Sequence, residues 1–260
     1  ALGVVILASL APSVAERAGV WPPALTAMAA LGLMMAAQVY LPPLRNPLHR
    51  LDGENVAAGD EVKLLDGALV VDRNDVPKIG PVDAAKPLAL LFDYCCPHCR
   101  ATHEMLAAAQ LKYPNQFVVL ALPTPMNKDC NPHHEETEPR FKNACELARF
   151  ALAVWRADPA KFPEYDAWLF EPETPRDVSE AQTQAESLVG QDAFADALVD
   201  RWVEAQLKRN VDAYAASQAE RVPLLAGPGF TAIVGRPDDE AALFEVFERE
   251  WKLVPAAPKP

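Results

Sequence analysis

Two cysteines separated by two residues, in Cys96-Pro97-His98-Cys99, have the type and spacing to carry out redox chemistry. They follow an apolar run over residues 87–94 and open a helical pattern over residues 97–111. Unpaired backbone N–H groups and the positive end of the helix dipole favour a thiolate at such a helix start. A strand that ends in this pair and turns directly into a helix predicts a dithiol redox site.

The position of each residue in the motif predicts its role. Cys96, at the very start of the helix, is expected to be the exposed and acidic nucleophile, and Cys99, one turn deeper, its resolving partner. Pro97 fits the first helical turn, where its missing N–H costs nothing. His98 is expected to add positive charge or a hydrogen bond to the Cys96 sulfur.

A structural zinc site is the main alternative for these cysteines. The downstream pair Cys130 and His133 has the ligand spacing that would complete such a site. Pro97 and the strand-to-helix setting favour the redox interpretation, because zinc ribbons place their ligands on short hairpins and turns. We therefore predict no metal ligands, and a binding module that holds metal or a client protein stays open as the second class of function.

Three further cysteines and one carboxylate lie near the motif in sequence or share its chemistry. Cys95 is interpreted as a small buried side chain, with a third redox role as the alternative. Cys130 and Cys145 are predicted to form a structural disulfide rather than two free thiols, which implies an oxidising compartment. Asp93, at the end of the apolar run, is expected near the dithiol, where its charge would raise the pKa of a thiol.

The stretch Leu91-Phe-Asp-Tyr-Cys-Cys-Pro-His-Cys-Arg100 resembles the active site of DsbA-like thiol–disulfide oxidoreductases of the thioredoxin superfamily. Far downstream, Arg221-Val-Pro-Leu-Leu225 resembles the loop that places a cis-proline beside the redox cysteines in that superfamily. The resemblance covers roughly residues 65–252. It implies a cis Val222-Pro223 peptide that packs against the dithiol and helps to bind the substrate.

The elements expected around these residues give an α/β chain. The sequence predicts a hairpin at Asp66-Gly67, strands at 88–94 and 116–122, and a helix between those two strands. Helical patterns occupy about 139–217, with helices expected at Pro163–Leu169, Ser179–Val189 and Ala193–Ala215. Strands at 224–227 and 231–234 and a helix from Asp238 to about Trp251 close the chain. This order predicts a thioredoxin-like fold with a helical insertion at about 139–217, in a domain spanning 61–255.

The N-terminal segment 1–45 is apolar and is predicted to contain transmembrane helices. Residues 18–44 carry no charge, and this run exceeds the roughly 20 residues needed to span a bilayer. Residues 46–60 are expected to be a linker. Because the first residue is Ala1, we expect a processed chain or a fragment. Arg45 and Arg50 follow the run and Arg17 precedes it, which weakly favours a cytoplasmic domain, whereas disulfide chemistry favours an extracytoplasmic one.

Composition limits the partners. The net charge of −12 and a pI near 4.9 argue against nucleic acid. We expect a membrane-anchored thiol–disulfide oxidoreductase on the periplasmic side, which uses no cofactor and acts on protein thiols and disulfides. A redox partner, soluble or in the membrane, is expected to recycle the dithiol. The direction is predicted to be oxidation, with reduction or isomerisation of disulfides as the alternatives.

Overall fold

The computed structural model describes residues 61–257, and the predicted apolar segment 1–45 and linker 46–60 lie outside the described residues. The described chain begins with the predicted hairpin, in which β1 (Glu61–Leu64) and β2 (Leu69–Asp72) pair antiparallel. A 3-10 turn connects the two strands, and Gly67 has a φ of +91° there, which favours glycine. The hairpin forms its own two-stranded sheet.

A five-stranded sheet of mixed direction forms the centre of the fold. Its order is β3-β5-β4-β6-β7, and only the central pair, β4 (Lys86–Phe92) with β5 (Phe117–Pro123), is parallel. The helix α1 (Pro97–Lys112) makes the crossover between these two strands. Both strands are buried almost throughout, which explains why they read as continuous apolar runs.

The other strands complete the sheet on both sides of the central pair. The edge strand β3 (Lys78–Ile79) was not predicted, because two residues after a proline leave no periodic pattern. The hairpin of β6 (Leu224–Gly227) and β7 (Phe230–Val234) adds to the far side of β4. Both strands lie close to their predicted positions.

The helical insertion follows β5 and contains α2 (Ala144–Ala157), α3 (Phe162–Phe170), α4 (Val178–Val189), α5 (Gln191–Leu198) and α6 (Arg201–Ala216). The single helix predicted over Ala193–Ala215 was wrong, because the chain breaks at Asp200. This residue is extended and accepts a hydrogen bond of 2.9 Å from the Trp202 N–H, so it caps a new helix.

The C-terminal helix α7 (Glu240–Trp251) packs against α1 and the sheet. The rings of Tyr113 and Phe244 lie 5.7 Å apart, and those of Phe117 and Phe247 lie 5.2 Å apart. The predicted order β-α-β, helices, β-β-α is therefore the observed one. Within residues 61–257, no helix combines the length and apolar character needed to cross a membrane.

Candidate functional site

The start of α1 determines the position of the first cysteine. Cys96 is the N-cap of the helix, with extended backbone angles, and Pro97 occupies the first turn. The Cys96 carbonyl accepts the first helical hydrogen bond, from the Arg100 N–H at 3.1 Å. No acidic residue lies in the first turn of α1, so no carboxylate there opposes the positive end of the helix dipole.

Cys96 and Cys99 are both free thiols, and their pKa values are shifted in opposite directions. A hydrogen bond from the Cys99 thiol lowers the pKa of Cys96, and the backbone N–H groups of Cys99 and His98 lower it further. Burial and the Asp93 charge act to raise this pKa, but the hydrogen bonds outweigh them and the Cys96 pKa is about 7. Burial raises the pKa of Cys99 well above its ordinary value, and the hydrogen bond that it donates acts in the same direction. Cys96 is therefore the thiolate of the pair near neutral pH.

One detail of the predicted dithiol was wrong. Cys96 is not exposed: only 6% of its surface is accessible, against 1% for Cys99, because the chain around Val222 packs close to it. His98 acts on the Cys96 sulfur through its backbone N–H, and its side chain is exposed. The hydrogen bond predicted from His98 is therefore present, and it comes from the helix start, which the sequence also predicted to favour a thiolate.

The loop before β6 lies against the dithiol. The Val222-Pro223 peptide is cis, and the Val222 carbonyl oxygen is 4.0 Å from the Cys96 Sγ. The Pro223 carbonyl accepts a hydrogen bond of 2.7 Å from the Gly235 N–H, which fixes the loop to the end of β7. The structure therefore brings Val222 and Pro223 to Cys96, as the sequence resemblance implied.

Asp93 is a buried carboxylate directly after β4. Its two oxygens accept hydrogen bonds of 2.6 Å from the Cys95 and Met126 N–H groups, and its own N–H donates to the Cys99 Sγ at 3.5 Å. Burial raises the pKa of Asp93 to about 6, although the two N–H groups act to lower it. Its charge acts to raise the pKa values of both Cys96 and Cys99, in the direction that the sequence predicted.

Cys95 is buried, and its surroundings disfavour reaction of its thiol. Only 3% of its surface is accessible, and burial together with the adjacent Asp93 raises its pKa far above the ordinary value. A thiol that remains protonated and inaccessible is a poor nucleophile, which favours the small buried side chain over a third redox role.

Cys130 and Cys145 are joined by a disulfide whose Cα atoms lie 5.9 Å apart. Because its sulfur is bonded to Cys145, Cys130 is not available for the zinc site considered with His133. Among residues 61–257, no three histidine, cysteine or acidic side chains are grouped closely enough to hold a metal ion. His133 instead lies at the surface, where its Nε2 is 3.1 Å from an Asp212 oxygen.

A polar cluster beside the dithiol was not predicted. Asp166 of α3 is fully buried, accepts a hydrogen bond of 2.8 Å from the Tyr94 hydroxyl and lies 2.6 Å from His103 Nε2. Phe170 packs against both partners, with ring centroids 4.9 Å from Tyr94 and 4.8 Å from His103. The cluster therefore attaches the insertion to α1. Its only sequence signal was an acidic residue between the apolar side chains of α3, and Glu164 of the same helix makes that signal ambiguous.

Comparisons with known proteins give matches among solved structures. No protein-family model matches the chain, and no curated protein matches it either. The catalytic domain of Proteus mirabilis ScsC is 20% identical, with a TM-score of 0.54, over 68% of this chain and 90% of that one. A periplasmic thioredoxin-like protein from Salmonella enterica serovar Typhimurium is 20% identical, with a TM-score of 0.54, over 72% and 96%.

The thiol–disulfide exchange protein alpha-DsbA2 from Wolbachia pipientis is a third similar structure. It is 17% identical, with a TM-score of 0.53, over 67% of this chain and 87% of that one. Similarity at this level of identity shows the fold, and it confirms the predicted thioredoxin-like fold of helices and a mixed sheet.

Proposed function

We propose that this chain is a thiol–disulfide oxidoreductase that oxidises client proteins through Cys96 and Cys99. The observation that carries the proposal is the asymmetry of the pair. Cys96 has a pKa of about 7 at a helix start, whereas Cys99 is buried and holds its proton. The Cys96 sulfur is thus suited to attack and departure, and the Cys99 sulfur to leave the internal disulfide and take up a proton.

In the proposed reaction, a client thiolate attacks the Cys96 sulfur of the Cys96–Cys99 disulfide. The Cys96–Cys99 bond breaks as a bond from the client sulfur to Cys96 forms, and Cys99 leaves as a thiolate that takes up a proton. A second client thiolate then attacks the client sulfur of this mixed disulfide. Cys96 leaves as a thiolate, so the client gains a disulfide and the pair gains two electrons.

The loop at Val222 supports client binding at the same place. Its carbonyl lies beside the Cys96 sulfur, where an extended client segment can pair with backbone groups while its thiol is attacked. A shallow depression on another side of Cys96 is lined by Tyr94 and Arg100, and by Phe170 and Glu173 of the insertion. Clients would therefore contact both parts of the fold.

The proposal includes the surroundings in which the chemistry takes place. We infer an extracytoplasmic domain, on the periplasmic side, anchored through residues 1–45. The Cys130–Cys145 disulfide supports this inference, as does the fold shared with a protein described as periplasmic. A redox partner would reoxidise the dithiol after each cycle.

Oxidative refolding of a reduced, denatured disulfide protein tests the activity. In a buffer of oxidised glutathione, we expect the intact chain to accelerate disulfide formation and Cys96→Ser to abolish this acceleration. Cys99→Ser should accumulate a mixed disulfide, because its Cys96 thiolate attacks disulfides of the client and no Cys99 thiol is present to break the new bond. Cys95→Ser is the matched control and should leave the rate within about twofold, because its thiol is buried and protonated. Accumulation of mixed disulfides by Cys96→Ser instead would show that the two roles are reversed.

A further inference from the structure

The segment from Met126 to Cys145, here called the bridged loop, is attached to the redox pair through a single carboxylate. The Met126 N–H donates to Asp93 Oδ2 at 2.6 Å, and the Cys95 N–H donates to Oδ1 at the same distance. Asp93 also donates its N–H to the Cys99 sulfur. Any movement of Met126 would therefore change the hydrogen bonds of a charge that acts on both redox sulfurs.

Asn127, the next residue, holds the bridged loop together from within. It is 3% exposed, and its side-chain amide donates to the carbonyls of Phe141 and Lys142 at 3.0 and 3.3 Å. Its side-chain oxygen accepts hydrogen bonds from the Asp129 N–H at 2.9 Å and the Thr137 hydroxyl at 3.2 Å. One side chain thus joins the start of the loop to its middle and to its end.

The disulfide closes the same loop. The Cys130 N–H donates to the Asn127 carbonyl at 3.2 Å, and the bond to Cys145 fixes this turn to the first residues of α2. The N–H of Asn143, just before that helix, acts to lower the pKa of the Cys95 thiol. The loop therefore lies close to residues around the redox pair at both of its ends, at Met126 and at Asn143.

We propose that the bridged loop, held by Asn127 and the Cys130–Cys145 bond, positions the Asp93 carboxylate beside the redox pair, and that Asn127 is thereby a positioning residue for Cys96. The inference rests on the proposed function only in taking Cys96 as the reactive thiol. It concerns how the fold sets the acidity of that thiol, whichever client or direction is involved.

The expected sign follows from the hydrogen bonds. Loosening the loop removes the Met126 N–H from Asp93, and this N–H lowers the pKa of that carboxyl. Asp93 then holds a proton near neutral pH and no longer opposes the Cys96 thiolate. The pKa of Cys96 should therefore fall when a bond remote from its sulfur is broken. Local unfolding would instead move this pKa up, toward the ordinary value of 9.0.

The experiment measures the pH dependence of Cys96 alkylation by a small reagent, with the modified peptide quantified by mass spectrometry. Asn127→Ala and the Cys130→Ala/Cys145→Ala double variant should each lower the Cys96 pKa by about half a unit, roughly doubling its thiolate fraction half a unit below pH 7. His133→Gln is the matched control, since it removes only an exposed contact of the same loop and should leave the pKa unchanged.

The Asp93→Asn variant tests whether the loop acts through the Asp93 charge. In that variant, adding Asn127→Ala should produce no further fall, because the charge through which the loop acts is gone. The Asp93 carboxyl carbon, followed by NMR, should titrate above about 6 in Asn127→Ala. An unchanged or raised Cys96 pKa in the loop variants, or the same fall with Asp93→Asn present, would overturn the proposal. These readouts use no client, so they are independent of the refolding test.

Discussion

The acidity of Cys96 is the balance of opposed interactions on one sulfur. Burial and the Asp93 charge act to raise its pKa, whereas the Cys99 thiol and the N–H groups of the helix start lower it to about 7. The largest of these effects is the hydrogen bond from Cys99. A buried sulfur in this position is acidic only while its neighbours donate to it, so the second cysteine tunes the acidity of the first.

Replacing Cys99 tests this balance in the isolated protein. Cys99→Ala removes the strongest interaction that lowers the pKa of Cys96, so this pKa should rise from about 7 toward 9.0. Cys99→Ser should give an intermediate value, because a hydroxyl also donates to a thiolate. The ultraviolet absorbance of the thiolate, followed against pH, measures both. Equal pKa values in the intact, Ser and Ala proteins would assign the acidity to the helix start alone.

The sequence predicts the chemical identity of this site better than its exposure. The thiol pair, its helix start and the cis-proline loop could be recognised because each depends on a short local pattern, at 96–99 and 222–223. The burial of Cys96 against the chain at Val222 and the hydrogen bond from Met126 to Asp93 could not be derived, because they arise where segments distant in sequence meet. Contacts between distant segments leave little trace in local periodicity.

At the scale of elements, the insertion is attached beside the dithiol by the cluster of Tyr94, His103 and Asp166. The carboxylate is fully buried, and both of its oxygens have partners from the thioredoxin-like part of the chain. The Asp166 charge raises the pKa of His103, although burial opposes it. A protonated His103 therefore compensates the buried charge and holds α3 against α1.

Removing the Asp166 carboxylate should weaken the attachment of α3 to α1. Asp166→Ala leaves a buried Tyr94 hydroxyl and His103 without their acceptor, and we expect the free energy of unfolding to fall by about 3 kcal/mol. Glu104→Ala, which breaks an exposed ion pair with Arg100, should cost less than about 1 kcal/mol. Urea titrations monitored by circular dichroism measure both.

The pH dependence of the same variants supplies a second criterion. Because the folded pKa of His103 is raised above 6.5, its contribution to stability is full below pH 6.5 and is lost as pH rises through the folded value. Asp166→Asn should abolish this loss. A stability that declines equally with pH in the intact protein and in Asp166→Asn would contradict the assigned pairing.

The helical insertion shows where pattern reading succeeds and fails. Helices with a clear break at each end, such as α3 and α4, lie within a residue of their predicted bounds. The separation of α5 from α6 was missed, since Val199 and Asp200 interrupt an otherwise continuous helical pattern without proline or glycine. The cap at Asp200 was a readable signal that the apolar periodicity obscured.

For the whole molecule, the direction of the reaction depends on which redox form is more stable. A disulfide between Cys96 and Cys99 closes a very short loop, and the chain-entropy model assigns it only about 2 kcal/mol. The thiolate of the reduced form offers a competing stabilisation of similar size, about 2–3 kcal/mol for a pKa lowered from 9.0 to about 7. Because these two contributions are close in size, the pH determines the difference in stability between the two redox forms.

The two redox forms should therefore diverge as the solution becomes alkaline. The lowered pKa of Cys96 stabilises the folded reduced form fully above about pH 9, and this contribution is lost as pH falls through about 7. The disulfide form has no Cys96 thiolate and lacks this contribution. We expect the reduced form to gain about 2 kcal/mol on the oxidised form between those pH values. The raised pKa of Cys99 acts in the opposite direction above pH 9.0, so the gain should not continue beyond it.

Urea unfolding of each form, prepared with glutathione buffers that leave the Cys130–Cys145 bridge intact by peptide mapping, measures this difference. Cys96→Ala/Cys99→Ala is the control, and its unfolding free energy should not respond to the redox buffer. A more stable reduced form means that folding favours the dithiol, so the pair draws electrons from clients and acts as an oxidant. If the oxidised form is more stable throughout, with no divergence as pH rises, the pair is suited to reduce disulfides, and the proposed direction is wrong.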